Sequence, residues 1–561
     1  MVSNPLVHRR LVGIILYHLP GTSAQRELSN EGIEMQGDPD QILLNGTIWT
    51  GDATHPYAES IAISGSCVLA VGSSEEIEAL GGPGTKRWNL DGRFVIPGIN
   101  DSHSHFGMTP TANLYPLNFP TIDPTWEVVT AHLTAATDKA PAGATISGEI
   151  GPCALDDPSC NLESLDNLVP LHPVRLSTFS GHAAVLNTQG FSALGIEEDT
   201  PDPAGGRFER SNNGARTGVV REYAWFALQR RIGEAAPDAE GLWEVRGFLN
   251  EAARMGVTTT QCMPLNRFEQ FVSWCERAPA PIRIRAIPLP MTSPHGLDRS
   301  EATALRDHVT SLITVSGTKW VLDGSPIECS QAMRAPYTDN PGTRGILNFG
   351  VDEIEAMLRE ALEDGEQPLF HAAGDRAVEA LLDAMDATGG MEVWRFRRVR
   401  MEHGDGIMPD LLPRVRELGL VVVQNPSHFS FRDLFIKRYG AERTQQLEPL
   451  RSLLNAGIPI ALGSDAPLNP YLDIMFASAI PGKPSESITR EQALAAYTSG
   501  SAYAEFAEVE KGSLAPGKVA DLAVLSQNIL SAPIEDIPNT ESLLTIVGGR
   551  VAYHSGRVAS S

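Results

Sequence analysis

A chain of 561 residues, 42% hydrophobic and 20% charged, has the balance of a folded globular protein and the length for two to four domains. Its 44 Lys and Arg against 69 Asp and Glu leave a formal charge of -25; that repels phosphate backbones and, with no basic stripe interleaved with aromatics, excludes nucleic acid as a partner. Six dispersed cysteines without a Cys-x-x-Cys pair exclude a thiolate zinc site and a disulfide framework, and Cys153 and Cys160 read as free thiols.

In chain order, residues 1–39 read as a tail. Arg9-Arg10, an apolar run at 11–19 and the small residues Thr22-Ser23-Ala24 outline a short export signal within residues 1–24. His18 and the shortness of the run weaken it, so a cytoplasmic location is the expectation and export the alternative. No later run reaches the ~20 apolar residues a spanning helix needs, so no membrane is expected. From 40 to 94, short strand-like runs at 42–49, 60–63 and 67–71 alternate with glycines. The far end, 508–561, repeats that style at 521–525, 543–547 and 551–554. The two termini are therefore expected to build one composite β-sandwich domain.

The centre, 95–507, alternates differently. Apolar runs of strand length recur at 94–99, 258–261, 282–287, 320–322, 368–370, 399–401, 420–423 and 458–462. Helical patterns lie between them, such as Val351-Asp-Glu-Ile-Glu-Ala-Met-Leu-Arg-Glu-Ala-Leu362. Eight strands with crossovers are what an α/β fold of the (β/α)₈, TIM-like barrel type requires. Residues 107–254 exceed an ordinary crossover and carry their own strand candidates at 144–147 and 174–177. They read as an insertion over the barrel mouth.

In such barrels the active site lies at the carboxyl ends of the strands. His103 and His105 are two apart in an extended segment, so both imidazoles can face one ion, and their nitrogens suit zinc and similar metals. Later strand ends repeat the arrangement with His371, His403 and Asp465. Each alone reads more readily as a hydrogen-bonded core residue or a cap; four strands of one barrel ending so do not. Lys319 can join them as a carbamate formed with carbon dioxide, an anionic bridge between two metals, because an unmodified ammonium would be repelled there. Asp375 and Arg376 read as a structural pair at a helix start.

Phe94-Val-Ile-Pro-Gly-Ile-Asn-Asp-Ser-His-Ser-His105 resembles the first-strand signature of the metal-dependent amidohydrolase superfamily. Ser180-Gly-His-Ala-Ala184, Thr217-Gly-Val-Val-Arg-Glu222, Lys319-Trp-Val-Leu-Asp-Gly324, His371-Ala-Ala-Gly-Asp-Arg-Ala377, Met401-Glu-His403 and Leu462-Gly-Ser-Asp-Ala-Pro467 are similar to its family 3, the branch of N-substituted formamide deformylase-like proteins. The likeness runs from about Gln41 to the C-terminus, with the motifs in the expected order. It implies that His103 and His105 bind one divalent metal, expected to be zinc, and His371 and His403 another. Carbamylated Lys319 would bridge them, and Asp465 would touch the first metal and the water. Two segments depart from the pattern: Gly148-Glu-Ile-Gly-Pro-Cys-Ala-Leu-Asp156 lacks a Gly-Trp-Asp-like run, and Ile327-Glu-Cys-Ser330 replaces small residues. Both bear on the substrate pocket.

The expected enzyme is a metal-dependent amidohydrolase that splits a non-peptide C–N bond, of amide or N-substituted formamide type, in a small-molecule substrate. Asp465 acts as general base and then acid, and His182 and Glu222 from the insertion hold substrate. Ester, lactone or cyclic imide hydrolysis is the alternative within enzymes, and a non-catalytic scaffold the alternative outside them. A homodimer is compatible with every one of these readings.

Overall fold

The computed structural model describes residues 38–561 apart from 108–112, 299, 301–304 and 307. The segment 1–24, whose alternative reading was an export signal, lies outside these residues. All six cysteines are free. Among the described residues no helix is long and apolar enough to cross a membrane.

Both ends of the chain form two packed sheets. One runs Ala559–Ser560, Lys86–Asn89, Gln41–Leu44, Ser60–Ser64, Cys67–Gly72; the other runs Arg550–His554, Ser542–Val547, Leu522–Leu525, Phe94–Pro97, Thr47–Trp49, Tyr57–Ala58. Alternation sends Leu43, Ile61, Trp88, Val95, Val524 and Leu544 into one core between them.

The first expected barrel strand needs correction. Phe94–Pro97 pairs antiparallel with Leu522–Leu525 and belongs to the sandwich, so the boundary moves from 94/95 to Gly98. The physical reason is a close crossing: a Cβ on Gly98 would stand 2.1 Å from Thr258 Oγ1, so only glycine lets the chain pass into the centre here.

The central strands are β1 (Ile99–Ser104), β2 (Val257–Cys262), β3 (Arg283–Ala286), β4 (Thr318–Val321), β5 (Pro368–Ala372), β6 (Arg400–His403), β7 (Val421–Gln424) and β8 (Ile460–Leu462). They pair in parallel as β1–β2–β3 and as β4–β5–β6–β7–β8. Ile313–Val315 extends the first sheet beside β3 and leads through Gly317 into β4, whose Lys319 N–H donates to Pro288 O at 2.9 Å. At the opposite edges Ser104 and Asp465 form a parallel bridge. Helices such as Val351–Asp364 and Asp375–Ala387 alternate with the strands and bury their apolar faces against them, the pattern of an α/β fold.

The stretch after β1 forms a mixed six-stranded sheet: Gly206–Arg210, Arg216–Glu222, Ala183–Leu186, Val174–Thr178, Thr145–Ile150, Leu114–Pro116. Its extent differs from the expected 107–254. Helix Asp238–Arg254 packs against β2 and against Ser542–Val547 and Arg550–His554, so its apolar face serves the centre and the sandwich instead.

Candidate metal centre

The carboxyl ends of β1, β5, β6 and the turn after β8 bring histidines and an aspartate together. His103 lies inside β1 and is 1% exposed; its Nδ1 is 2.7 Å from Glu402 Oε2. A carboxylate only accepts, so Nδ1 carries the proton and the Nε2 lone pair faces the centre. His105 repeats the device: Nδ1 donates to Met263 O at 2.7 Å, which frees Nε2. The two Nε2 atoms are 3.2 Å apart, and Asp465 Oδ1 lies 3.9 Å from the first and 3.7 Å from the second. Two ligands bonded to one zinc at about 2.1 Å and roughly tetrahedral angles stand about 3.4 Å apart. These separations therefore suit a shared ion.

Beneath them lies a buried charge pair. Arg400 donates to both oxygens of Glu402, at 2.9 and 3.0 Å, and to Ser102 O at 2.7 Å. Burial raises the Glu402 pKa, but the charges of Arg400 and Lys319 outweigh it and hold the carboxyl below its ordinary range. It thus stays an anion under His103, the arrangement that orients and strengthens a metal-binding imidazole.

Asp465 follows β8 through Gly463-Ser464. A Cβ on Gly463 would meet His103 N at 2.4 Å, so glycine permits the approach that places Asp465 over β1. Asp101 fastens the turn, its Oδ1 accepting from Ser464 N at 2.9 Å and His103 N at 3.3 Å. Burial opposes the charge on Asp465, yet the imidazoles of His103, His105 and His428 bring its pKa to about 2. Burial pushes His105 down to about 4, keeping that imidazole neutral and able to bind a cation.

Lys319, on β4, is 2% exposed. Burial lowers its pKa to about 8 against the pull of Glu402 and Asp465. His371 on β5 directs Nε2 to Gly324 O at 3.3 Å, so that nitrogen donates and Nδ1 keeps the lone pair. Its ring centroid is 4.5 Å from that of His403, which in turn is 4.9 Å from that of His103. Asp323 Oδ1 lies 3.5 Å from His371 Nε2 while the same carboxylate accepts the backbone N–H groups of Ala332, Ala373 and Gly374.

His182 and Glu222 end neighbouring antiparallel strands of the insertion, where Ala183 pairs with Arg221 and Glu222 N–H donates to His182 O. His182 Nδ1 is 2.8 Å from Glu222 Oε2, and its ring centroid is 4.9 Å from that of His371. Burial lowers the His182 pKa but the Glu222 carboxylate outweighs it, giving about 9. Glu222, His403 and Asp465 all have positive φ, at 51°, 68° and 53°. Non-glycine residues rarely adopt that region, and such strain gathers at functional sites.

The ligand-capable atoms of His103, His105 and Asp465 lie within 4.8 Å of one another, and so do those of His403, His428 and Asp465. These nitrogen and oxygen donors fit a zinc-like divalent ion. His371 falls outside both close groups. His428 is the residue the sequence reading missed: its Nε2 stands 3.6 Å from Asp465 Oδ2. The available signal was its place in Asn425-Pro426-Ser427-His428, directly after β7. Asp375 and Arg376 take the structural place expected of them at a helix start. Both open helix Asp375–Ala387, and each also reaches across to the loop after β4: Asp375 Oδ1 accepts from Arg334 N at 2.7 Å, and Arg376 N donates to Ala332 O at 3.0 Å.

Comparison with known proteins gives a consistent answer. The chain is 30% identical to Protein LONG AFTER FAR-RED 3 of Arabidopsis thaliana, covering 92% of this chain and 91% of that one. It is 25% identical to N-substituted formamide deformylase of Arthrobacter pascens, covering 92% and 98%. An uncharacterized metal-dependent hydrolase from Pyrococcus horikoshii OT3 shares the fold, with a TM-score of 0.67 at 23% identity, covering 88% of this chain and 99% of that one. The Amidohydrolase family profile matches residues 88–553, and the chain belongs to that family.

Proposed function

We propose that this chain is a metal-dependent hydrolase that cleaves the C–N bond of an amide or N-substituted formamide by water attack. The observation that carries the proposal is the convergence of the His103 and His105 Nε2 lone pairs with Asp465 at ion-sharing separations. Family membership and the likeness to a formamide deformylase support the reaction class.

In this reading the eight strands form one closed barrel. His103, His105 and Asp465 hold one divalent ion, expected to be zinc. His371, through Nδ1, and His403 would hold a second, and Lys319, as a carbamate, would supply a further anionic ligand. A lysine held near pKa 8 supplies the neutral amine that adds carbon dioxide, forming the N–C bond and releasing one proton. When bound, the ions supply Lewis acidity that polarises the substrate carbonyl and favours loss of a proton from water.

The protein's own groups do the rest. Asp465 Oδ2 accepts the proton of the attacking water and returns it to the departing nitrogen, since an unprotonated amine leaves poorly. His182 Nδ1 is occupied by Glu222, so Nε2–H is free to donate to the substrate's carbonyl oxygen. The stretch after β1 reaches the site through His182, whose ring centroid is 4.9 Å from that of His371.

The test is hydrolysis of a panel of N-formyl and N-acyl amines by the purified protein, with and without a chelator. Turnover that the chelator abolishes and zinc restores is expected. Chelator-insensitive turnover, or none on any member, contradicts the proposal.

A further inference from the structure

Away from the metal centre, the sheet of the insertion and helix Tyr223–Glu234 enclose a half-open cavity of about 250 Å³. Arg175 and Arg231 line it, with Thr145 and Asn113 as polar neighbours and Leu186, Leu194 and Ile232 among its apolar walls; among the described residues no Asp or Glu lines it. In a chain of charge -25, two guanidinium groups in one cavity without an acid form a local inversion of sign.

Arg175 lies on the inner strand Val174–Thr178 and is 8% exposed. Its Nε and Nη2 both reach one neutral acceptor, Ser147 Oγ, at 3.3 Å each. Arg231 Nη1 donates to Leu194 O at 2.5 Å. Among the described residues neither arginine forms an ion pair, and burial of Arg175 lowers its hold on its proton with no acidic neighbour to offset the effect. A buried guanidinium is costly without an anion, and its planar fork of donors matches a carboxylate. The apolar walls favour an anion with a hydrocarbon part over a bare, strongly hydrated one.

We propose that this cavity binds a small organic carboxylate, with its charged end on Arg175 and Arg231 and its short hydrocarbon part against Leu186, Leu194 and Ile232. None of the metal-centre residues lines the cavity. The proposal therefore stands independently of the reaction assigned above.

Sodium butyrate tests it, titrated into the metal-loaded protein by calorimetry at constant ionic strength, beside phosphate and butylamine. Saturable heat with butyrate alone is expected. Arg175→Met and Arg231→Gln should each weaken it by at least about tenfold, while the double variant His103→Asn, His105→Asn retains it. Arg231 is exposed, so its variant keeps the test valid should Arg175→Met not fold. Absence of butyrate heat in the unaltered protein, equal binding by both arginine variants, or loss in the histidine variant with retention in Arg175→Met would overturn the proposal. A response to phosphate or butylamine in place of butyrate would overturn the ligand class.

Discussion

The ends of the central parallel strands and the mixed sheet that follows β1 hold their polar groups in contrasting ways. At the strand ends, each group is anchored by a buried partner: Glu402 under His103, Met263 O behind His105, Asp101 behind the Asp465 turn. In the mixed sheet, His182 and Glu222 secure each other across two strand ends, beside a cluster in which Ser180 and Ser325 both donate to Glu328. On the proposed reading, the central groups keep ligand atoms at fixed separations, and those of the mixed sheet present a hydrogen-bond donor to whatever enters. Damage to the first should therefore appear in metal content or in chemistry, and damage to the second in substrate handling.

The largest effect expected on this view is that of Asp465→Asn. It retains an oxygen toward the ion but cannot carry a proton, so kcat should fall by about 10³-fold with metal content retained. Steady-state kinetics with parallel elemental analysis checks it; unchanged kcat removes the role. Next comes Glu402→Gln, which leaves Arg400 buried against a neutral partner. Metal affinity should fall by about 10–100-fold, and stability by about 3–5 kcal/mol, read by metal titration and denaturant unfolding. Equal affinity in the variant would mean that His103 needs no anion beneath it.

Smaller effects belong to the mixed sheet. His182→Gln should lower kcat/KM by about 10–100-fold through loss of a donor to the carbonyl, and Glu222→Gln should act in the same direction. Both should leave metal content untouched, and loss of metal in either would collapse the division between the two regions. His428→Asn is expected to be mildest, a few-fold in kcat, because Asp465 keeps its other imidazole neighbours. A drop as large as that of Asp465→Asn would make His428 an equal partner.

That same division decided how much was legible in the sequence. The strand-end groups were readable because alternation and buried runs reveal where a strand stops, and a His or Asp just beyond a buried run is conspicuous. Phe94–Pro97 misled for a related reason: a buried strand of the sandwich and a buried strand of the centre share one composition, and only the crossing at Gly98 separates them. Helix Asp238–Arg254 was assigned to the insertion because amphipathic spacing shows that a helix has a covered face without showing what covers it. His428 was hidden in a short 3₁₀ turn, and Arg175 in an ordinary strand. The meaning of each comes from neighbours distant in sequence, Asp465 for one and an acid-free cavity for the other.

The central claim is that the carboxyl ends of these strands hold divalent metal. Elemental analysis of the purified protein after zinc loading and dialysis, set beside His103→Asn, His105→Asn, tests it most directly. Two ions per chain in the unaltered protein, with at least one lost in the double variant, is the result this account predicts. A metal-free protein, or a double variant with undiminished metal, would contradict it.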